Sequence, residues 1–311
     1  MSVPIEHATC RANGIQIHYA HAGSGPPVLL LHGWPQTSHM WRLVIPVLAA
    51  RHTVIAPDLR GYGRTDAPAG GYDKRTMARD VRELVRALGH DRVAVVGHDR
   101  GARVAHRYAL DHPTEVERVA FLDIIPTREV ILRFDAARGA SFWHWLFHAQ
   151  PDLPEALVAG RVDAYLGYFF ERWTWQRSAL DAAAVAEYVR AFSRPGRMRA
   201  GFDDYRATFT HDFADDEETF AGGRRLDMPV LVLWGAQGLV GAAPVAEIWA
   251  EYATRLHAEA IEECGHFVAE EQPERVASVL LRFLAGTDPT DPPTDGRGAG
   301  AASVRPRSGT A

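Results

Sequence analysis

Short apolar runs alternate with helix-like segments along the first 122 residues. The runs at residues 27–31, 53–56, 92–96 and 116–122 are apolar at nearly every position, which is typical of strands buried on both faces of a parallel sheet. Between them, residues 37–50, 76–88 and 100–112 carry apolar side chains at helical spacing. Alternating strands and helices predict an α/β architecture with a mostly parallel sheet and helices on both faces. Asn13-Gly14, between two alternating stretches, predicts a hairpin at the sheet edge.

This alternation stops after about residue 125 and resumes near residue 224. Residues 126–223 contain no strand-like run and are rich in aromatic, helix-compatible segments, which predicts an inserted helical cap. A strand at 229–234 and a closing helix from Pro273 to about Ala285 follow. We therefore divide the chain into an α/β core (1–125 and 224–285), a cap (126–223) and a tail (286–311). The tail has almost no large apolar residue, so we expect it to be disordered.

One reactive residue stands at a sharp strand-to-helix junction. The strand ending at Val96 leads into Gly97-His98-Asp99-Arg100-Gly101, with Asp99 at the centre and small residues around it. Glycines are needed where a strand and a helix approach closely, and such a turn presents its central side chain at the top of the sheet. The turn resembles the nucleophile elbow of the α/β-hydrolase fold, with an aspartate at the usual serine position, and it predicts that fold.

The aspartate determines the chemistry that the elbow could perform. With a reference pKa of about 3.9, an aspartate is already anionic at neutral pH and needs no base for its attack. Attack on an sp³ carbon gives an ester that water can cleave, so halides and epoxides are suitable substrates. Asp99 could instead simply cap the helix that starts at Arg100, because aspartate is a preferred N-cap residue.

Three further features favour catalysis. His266 lies in a loop before the final helix, and Asp123 ends the strand 116–122, which reproduces the nucleophile, acid, histidine order of this fold. Asp123 is therefore the expected residue to orient His266. His32-Gly33-Trp34-Pro35 follows the strand 27–31, so the backbone N–H groups of Trp34 and Arg100 are the expected oxyanion hole.

Two arginines follow Asp99 on the predicted helix. Arg100 and Arg103 come one and four residues later, so both can lie near the mouth of the pocket. A pair of guanidinium groups there would suit a substrate carboxylate and offset its repulsion from Asp99. Alternatively, both arginines could pair with carboxylates of the cap.

Composition limits the partners. The formal net charge of −5 provides no basic field for nucleic acid, and no apolar run reaches the roughly 18 residues of a membrane span. The two cysteines lack disulfide or metal-type spacing, and residues 1–7 lack an export signal, so we expect a cytoplasmic protein. His144 and His148 have no third ligand in pattern, and we expect neither a metal nor a cofactor.

Five motifs together resemble the fluoroacetate (haloacetate) dehalogenases, with likeness from about Ile15 to Leu284. They are GHDRGAR at 97–103, HGWPQ at 32–36, HW at 144–145, DYR at 204–206 and GHF at 265–267. The resemblance implies a nucleophilic Asp99, a His266 that activates water and an Asp123 that orients His266. It further implies a substrate carboxylate held by Arg100 and Arg103, and a possible homodimer. It also implies that His144, Trp145 and Tyr205 bind the departing halide from the cap. Trp34 is often phenylalanine in these enzymes.

Two alternatives stay open at this point. An epoxide hydrolase shares the aspartate, the histidine and a cap, but it activates the epoxide with two cap tyrosines, for which Tyr165, Tyr168, Tyr188 and Tyr205 are candidates. Epoxide hydrolases usually carry tryptophan at the position of Arg100, which argues against this alternative. The other alternative is a non-catalytic receptor of the same fold, against which an intact triad argues.

Overall fold

An eight-stranded, mostly parallel sheet forms the centre of the molecule. The computed structural model describes residues 3–287. The strands are β1 (Glu6–Ala12), β2 (Ile15–Ala22), β3 (Pro27–Leu31), β4 (Thr53–Pro57), β5 (Val93–His98), β6 (Val116–Leu122), β7 (Leu226–Gly235) and β8 (Ala253–Ile261). Their order is β1-β2-β4-β3-β5-β6-β7-β8, and only the β1–β2 and β2–β4 pairs are antiparallel. The predicted hairpin at Asn13-Gly14 is confirmed, because both residues have positive φ between β1 and β2.

Helices fill the connections between the strands. Those of the core are α1 (Ile45–Leu48), α2 (Lys74–Ala87), α3 (Asp99–Asp111), α12 (Val245–Tyr252), α13 (Val268–Glu271) and α14 (Pro273–Ala285). Those between β6 and β7 are α4 (Thr127–Leu132), α5 (Ala136–Ser141), α6 (Trp143–His148), α7 (Leu153–Val158), α8 (Val162–Trp173), α9 (Ala182–Phe192), α10 (Arg197–Ala207) and α11 (Phe213–Ala221). A single π-helical turn, Thr208–Asp212, joins α10 to α11. This architecture confirms the predicted fold class.

The order of the buried parallel strands determines which loops lie close together at one edge of the sheet. Every residue of β5 is buried, and β3 and β6 flank it in register through Leu31 and Leu122. Because parallel strands end at the same edge of a sheet, the segments that follow these three strands meet there. Those segments are the loop after Leu31, the start of α3 and the turn at Asp123.

One predicted helix is wrong in its extent. Residues 37–50 do not form one helix but a 3₁₀ turn at Ser38–Trp41 and the short α1. Pro46 lies in the first turn of α1, and a proline ring blocks a continuous helix because it clashes with the preceding turn and lacks an N–H. The apolar spacing that predicted one helix instead reflects Met40, Trp41 and Val44 packing into the core.

All regular secondary structure in the segment 126–223 is helical. The boundaries that separate this segment from the α/β core stay a prediction. All helices from α4 to α11 lie between Thr127 and Ala221. The predicted disorder of 286–311 falls on residues of which only the first two are described. Within residues 3–287, no helix combines the length and apolar character that a membrane crossing needs.

Candidate active site

The turn at Asp99 is built by close approach of three segments. Asp99 has a φ of 47°, an uncommon conformation for a residue with a side chain, and it is the first residue of α3. A Cβ at Gly97 would lie 2.5 Å from Ala102 Cα, and one at Gly101 would lie 2.3 Å from His32 O. The two glycines therefore let β5, α3 and the loop after β3 meet, as the sequence pattern predicted.

The Asp99 carboxylate is bound from another loop and does not cap α3. Its Oδ1 accepts the backbone N–H of Trp34 at 2.8 Å, whereas the N-cap position belongs to His98, which makes no side-chain cap. The simple capping alternative is therefore wrong. Gly33 is required beside it, since a Cβ there would lie 2.4 Å from Asp99 Cβ. Trp34 N–H thus sits at the predicted oxyanion position, while no hydrogen bond of Arg100 N–H to Asp99 is found within residues 3–287.

The structure brings His266 and Asp123 together behind Asp99. His266 Nδ1 lies 2.6 Å from Asp123 Oδ2, and both side chains are buried. Asp123 has a φ of 52° and accepts Gly235 N–H at 3.1 Å through Oδ1, so its carboxylate is fixed on both sides. His266 Nε2 is buried and has no partner among the described residues. With Nδ1 donating to Asp123, Nε2 is the free basic nitrogen.

Electrostatics support an anionic Asp99 and a basic His266. Burial alone would raise the pKa of Asp99, but the charges of His266, His98, Arg100 and Arg103 outweigh it and lower the pKa. Burial alone would lower the pKa of His266, but the hydrogen bond and charge of Asp123, with the charge of Asp99, raise it above its usual value. His98 beside it is a poor alternative base, because burial and the charge of His266 lower its pKa to about 3.

The raised pKa of His266 leads to a prediction for Asp123→Asn. Activity that needs neutral His266 falls as the pH drops through its pKa. Removing the Asp123 charge lowers that pKa, so we expect the acid limb of the pH–rate profile to move to lower pH. The plateau should drop by roughly 10³- to 10⁴-fold, because the asparagine amide no longer holds the correct tautomer. Steady-state rates between pH 4 and 9 test this, and an unmoved acid limb would remove His266 as the group that sets it.

The guanidinium of Arg100 forms its hydrogen bonds with residues of the cap. Its Nε and Nη2 donate to Asp204 Oδ1 at 2.9 and 2.6 Å, and Nη2 also reaches Thr208 Oγ1 at 2.9 Å. Lys74 and Tyr62 share the same Asp204 carboxylate. The alternative of pairing with a cap carboxylate is thus what the structure shows for Arg100, and its predicted contact with a substrate carboxylate stays a prediction. One nitrogen, Arg100 Nη1, is buried without a partner among the described residues.

Arg103 has a different environment. Its Nη1 donates to Ile125 O at 3.1 Å and Thr127 Oγ1 at 3.0 Å, and its guanidinium lies 4.8 Å from the Trp145 ring centroid. No carboxylate within residues 3–287 forms a salt bridge with it, and its Nε is buried without a partner. Burial and the charge of Arg100 lower the pKa of Arg103 to about 10. Arg103 is therefore a buried cation that an anionic ligand would stabilise.

The three predicted cap residues lie together, and the charge of Asp99 acts on two of them, His144 and Tyr205. The rings of His144 and Trp145 lie 5.6 and 5.8 Å from that of Tyr205, and all three side chains are buried. The ring of Trp34 stacks on His144 at 6.2 Å. Burial lowers the pKa of His144 to about 3, so its imidazole is neutral, and its Nδ1 has no partner among the described residues.

The four tyrosines of the epoxide hydrolase alternative are in different environments. Tyr165 hydroxyl pairs with His148 Nε2 at 2.6 Å, and Tyr188 hydroxyl donates to Glu270 Oε1 at 3.0 Å. Tyr168 is 40% exposed. Tyr205 alone of the four is influenced by Asp99: burial and then the Asp99 charge raise the pKa of its hydroxyl. Of the four, Tyr205 is thus the tyrosine for which an effect of the Asp99 charge is found.

Sequence reasoning missed several residues of the site. Asp204, which binds Arg100, stood within the DYR motif but was given no role. Trp173, whose ring lies 5.1 Å from that of His266, and Glu271, which binds the His266 loop, carried no local signal. No group of three or more His, Cys, Asp or Glu side chains in the described part of the chain is arranged to hold a metal ion.

Comparison with known proteins identifies the family to which the chain belongs. Residues 26–273 match the family model of the alpha/beta hydrolase fold, and the chain belongs to that family. It is 41% identical to the soluble epoxide hydrolase of Corynebacterium sp. (strain C12), over 92% of this chain and 99% of that protein. It is 38% identical to the fluoroacetate dehalogenase of Burkholderia sp, over 87% of this chain and 91% of that one.

A solved structure agrees in fold. Epoxide hydrolase CorEH without ligand superposes with a TM-score of 0.85 at 39% identity, covering 91% of this chain and 99% of that one. The chain is therefore a hydrolase of the α/β-hydrolase fold, and the names of its relatives point to two different substrate classes.

Proposed function

We propose that the protein is a hydrolytic dehalogenase acting on small 2-halocarboxylates such as fluoroacetate, giving glycolate and halide through an aspartyl ester. The observation that carries the proposal is Arg103, a buried guanidinium one helical turn after Asp99 with no carboxylate partner among the described residues. The carboxylates of Asp99 and Asp216 act on Arg103 without forming an ion pair with it. A buried cation without an ion-pair partner is costly, and a substrate carboxylate would supply both the charge and the hydrogen-bond acceptors. An uncharged epoxide would supply an acceptor oxygen but no charge.

In the first step Asp99 displaces the halide. Its Oδ1 is held by Trp34 N–H, so Oδ2 is the oxygen that attacks the carbon bearing the halogen. A C–O bond forms as the C–halogen bond breaks, and the electron pair leaves with the halide. Trp145, Tyr205 and the neutral His144 offer N–H or O–H donors where that negative charge develops. Several donors matter most for fluoride, which is a poor leaving group.

In the second step water cleaves the ester. His266 Nε2 takes a proton from water, and the resulting hydroxide attacks Asp99 Cγ. The charge that develops on Oδ1 is stabilised by Trp34 N–H, with the N–H of Arg100 as the second predicted donor. The acyl C–O bond then breaks, and the alkoxide that carries the former Oδ2 takes the proton held by His266 and leaves as glycolate. The carboxylic acid formed at Asp99 releases its proton to solvent. The oxygen atom of the water molecule stays in the regenerated Asp99 carboxylate.

Epoxide hydrolysis is the second candidate function. It is favoured by the 41% identical relative named a soluble epoxide hydrolase, and by the Tyr205 hydroxyl above Asp99, which could donate to an epoxide oxygen. It would use the same aspartate and histidine. The single tyrosine at the nucleophile and the unpaired charge of Arg103 make it the weaker of the two.

A paired assay separates these functions. The purified protein is incubated with fluoroacetate and chloroacetate, and halide release and glycolate are measured; styrene oxide is tested in parallel for diol. We expect stoichiometric halide and glycolate. Diol without halide would establish the epoxide hydrolase, and tight haloacetate binding without any product would favour the non-catalytic receptor.

The carboxylate-binding role of Arg103 is tested by Arg103→Met, which keeps much of the side-chain volume. Hydrogen bonds to charged groups contribute about 1.5–3 kcal/mol each, so kcat/KM for haloacetate should fall by roughly 10- to 100-fold. Reaction with an uncharged haloalkane or with styrene oxide, where measurable, should change much less. Steady-state kinetics on both substrate classes provide the measurement.

Arg107→Met is the matched control. Arg107 is a buried arginine one turn later on α3, and it is ion-paired with Asp111 away from Asp99. Its replacement should lower stability without changing the preference for charged substrates. Equal losses on charged and neutral substrates in Arg103→Met would contradict the proposed carboxylate site.

A further inference from the structure

One buried carboxylate joins the cap to the loop that carries His266. Glu271, in α13, is 4% exposed and accepts four backbone N–H groups. Two belong to the loop, with Gly265 N–H on Oε2 at 3.0 Å and Phe267 N–H on Oε1 at 3.1 Å. Two belong to the turn after α8, with Trp175 and Gln176 N–H on Oε2 at 2.8 and 3.0 Å. No local sequence pattern predicts these four hydrogen bonds.

The four donors place His266 at the centre of the junction. Gly265 and Phe267 are its immediate chain neighbours, and the N–H of His266 itself donates to Trp173 O in the cap at 2.8 Å. A Cβ at Gly265 would lie 2.3 Å from that same carbonyl oxygen, so the two segments are in direct contact. Glu271 thus binds both the loop that carries His266 and the turn after α8, and these bonds fix the backbone position of His266.

We infer that Glu271 is a positioning residue for His266 in the hydrolysis of the aspartyl ester. The inference rests on the two-step mechanism proposed above, but it is independent of whether the substrate is a halocarboxylate or an epoxide. Glu271 acts through the loop and does not touch the reacting atoms. Its removal therefore slows the step that uses His266 and leaves the attack by Asp99 nearly unchanged.

A charge effect accompanies the geometric one. The groups that face His266 come from five elements of the structure: Asp99 from α3, His98 from β5, Asp123 from the turn after β6, His144 from α6 and Glu271 from α13. Among them, the carboxylates Asp123, Asp99 and Glu271 raise the pKa of His266, against burial. Neutralising Glu271 lowers this pKa and should move the acid limb of the ester hydrolysis step to lower pH.

Glu271→Gln is the sharpest variant. An amide oxygen in the place of Oε2 can keep the bonds from Gly265, Trp175 and Gln176, but the amide nitrogen then faces Phe267 N–H, so two donors oppose each other. The substitution therefore disturbs the residue that follows His266 with little change in volume. Glu271→Asp keeps the charge but not the reach, and serves as the second variant if Glu271→Gln does not fold.

Glu270→Gln is the matched control. Glu270 is the preceding residue and equally buried, but its carboxylate binds the side chains of Gln36, Arg42 and Tyr188 and touches no backbone N–H of the His266 loop. It also reaches the cap, through Tyr188 in α9. A general weakening of the cap would appear in both variants, whereas a positioning effect on His266 would appear in Glu271→Gln alone.

Rapid-quench single-turnover kinetics with chloroacetate, followed by intact-protein mass spectrometry, measure adduct formation and decay separately. In Glu271→Gln we expect decay to slow by roughly 10- to 100-fold, formation to stay within about threefold, and the acid limb of decay to move to lower pH. Glu270→Gln should keep both rates within about threefold. Equal slowing of both steps, an equal loss in Glu270→Gln, or unchanged decay would each overturn the inference. Absence of any adduct in His266→Asn would instead count against the two-step mechanism itself.

Discussion

Replacing Asp99 by asparagine is expected to lower turnover of any substrate by at least roughly 10⁴-fold, the scale seen when a covalent nucleophile is removed. An amide is a far weaker nucleophile than a carboxylate, and Asp99 is anionic because the surrounding positive groups lower its pKa. The asparagine Oδ1 can still accept Trp34 N–H, so the elbow should keep its geometry. Halide release from haloacetates, measured with a fluoride or chloride electrode, gives the result directly.

Asp99→Ala is the companion variant. It removes the carboxylate without leaving an amide that could hydrolyse back to aspartate, and thermal unfolding shows whether either variant is folded. Substrate binding should persist in Asp99→Asn, because Arg103 is untouched and the like-charge repulsion between Asp99 and the substrate carboxylate is gone. Halide release within tenfold of the unchanged protein would show that Asp99 does not attack the substrate.

The sheet and the elbow could be predicted from sequence because their signals are local. Buried parallel strands need runs of apolar residues, and β3, β5 and β6 show them within one or two positions of their observed limits. The glycines around Asp99 reflect a close backbone approach that only residues without a Cβ permit. The order Asp99, Asp123, His266 follows from strand order, so these three residues could be expected to meet.

The polar contacts between cap and core could not be predicted in this way. Asp204 binds Arg100 across 104 positions of the chain, and Glu271 binds Trp175 across 96. Each contact depends on how α10 or α8 packs over the sheet, and the residues adjacent in sequence do not indicate that packing. The same limit explains why the two arginines looked equivalent in sequence, although within residues 3–287 Arg100 forms an ion pair with a cap carboxylate and Arg103 does not.

This difference between the arginines sharpens the electrostatic argument for an anionic substrate. The Arg100–Asp204 pair is close to neutral overall, so the charges left around the reacting carbon are Asp99 and Arg103. A bound carboxylate would make that group net negative by one charge, with Arg103 placed to hold the carboxylate away from Asp99. Arg100 Nη1 can add a hydrogen bond without adding net charge. Under the proposed function, the substrate carboxylate would therefore be held mainly by Arg103, with Asp204 determining how much Arg100 contributes.

Replacing His266 by asparagine should stop the reaction halfway. The first step needs no base, so Asp99 should still displace halide, but no group remains to take a proton from water beside the ester. Asp123 offers no substitute, because its carboxylate is held by Gly235 N–H and faces the ring of His266 from behind. We expect one equivalent of halide per protein in a single burst, with later turnover reduced by roughly 10³-fold or more.

Intact-protein mass spectrometry after incubation with fluoroacetate or chloroacetate tests this directly. The adduct expected is a carboxymethyl ester, the same from either substrate, and peptide mapping should place it on Asp99. Asp99→Asn combined with His266→Asn is the matched control and should gain no mass, which separates esterification from alkylation of Cys10 or another surface group. A His266→Asn protein that binds haloacetate but gains no mass would contradict the ester intermediate. A mass gain on Asp99 from styrene oxide, with none from haloacetate, would support the ester intermediate but identify epoxide hydrolysis as the function. The two candidate reactions share Asp99 and His266 and differ in the first step, which expels halide from a haloacetate but leaves the opened epoxide oxygen on the substrate.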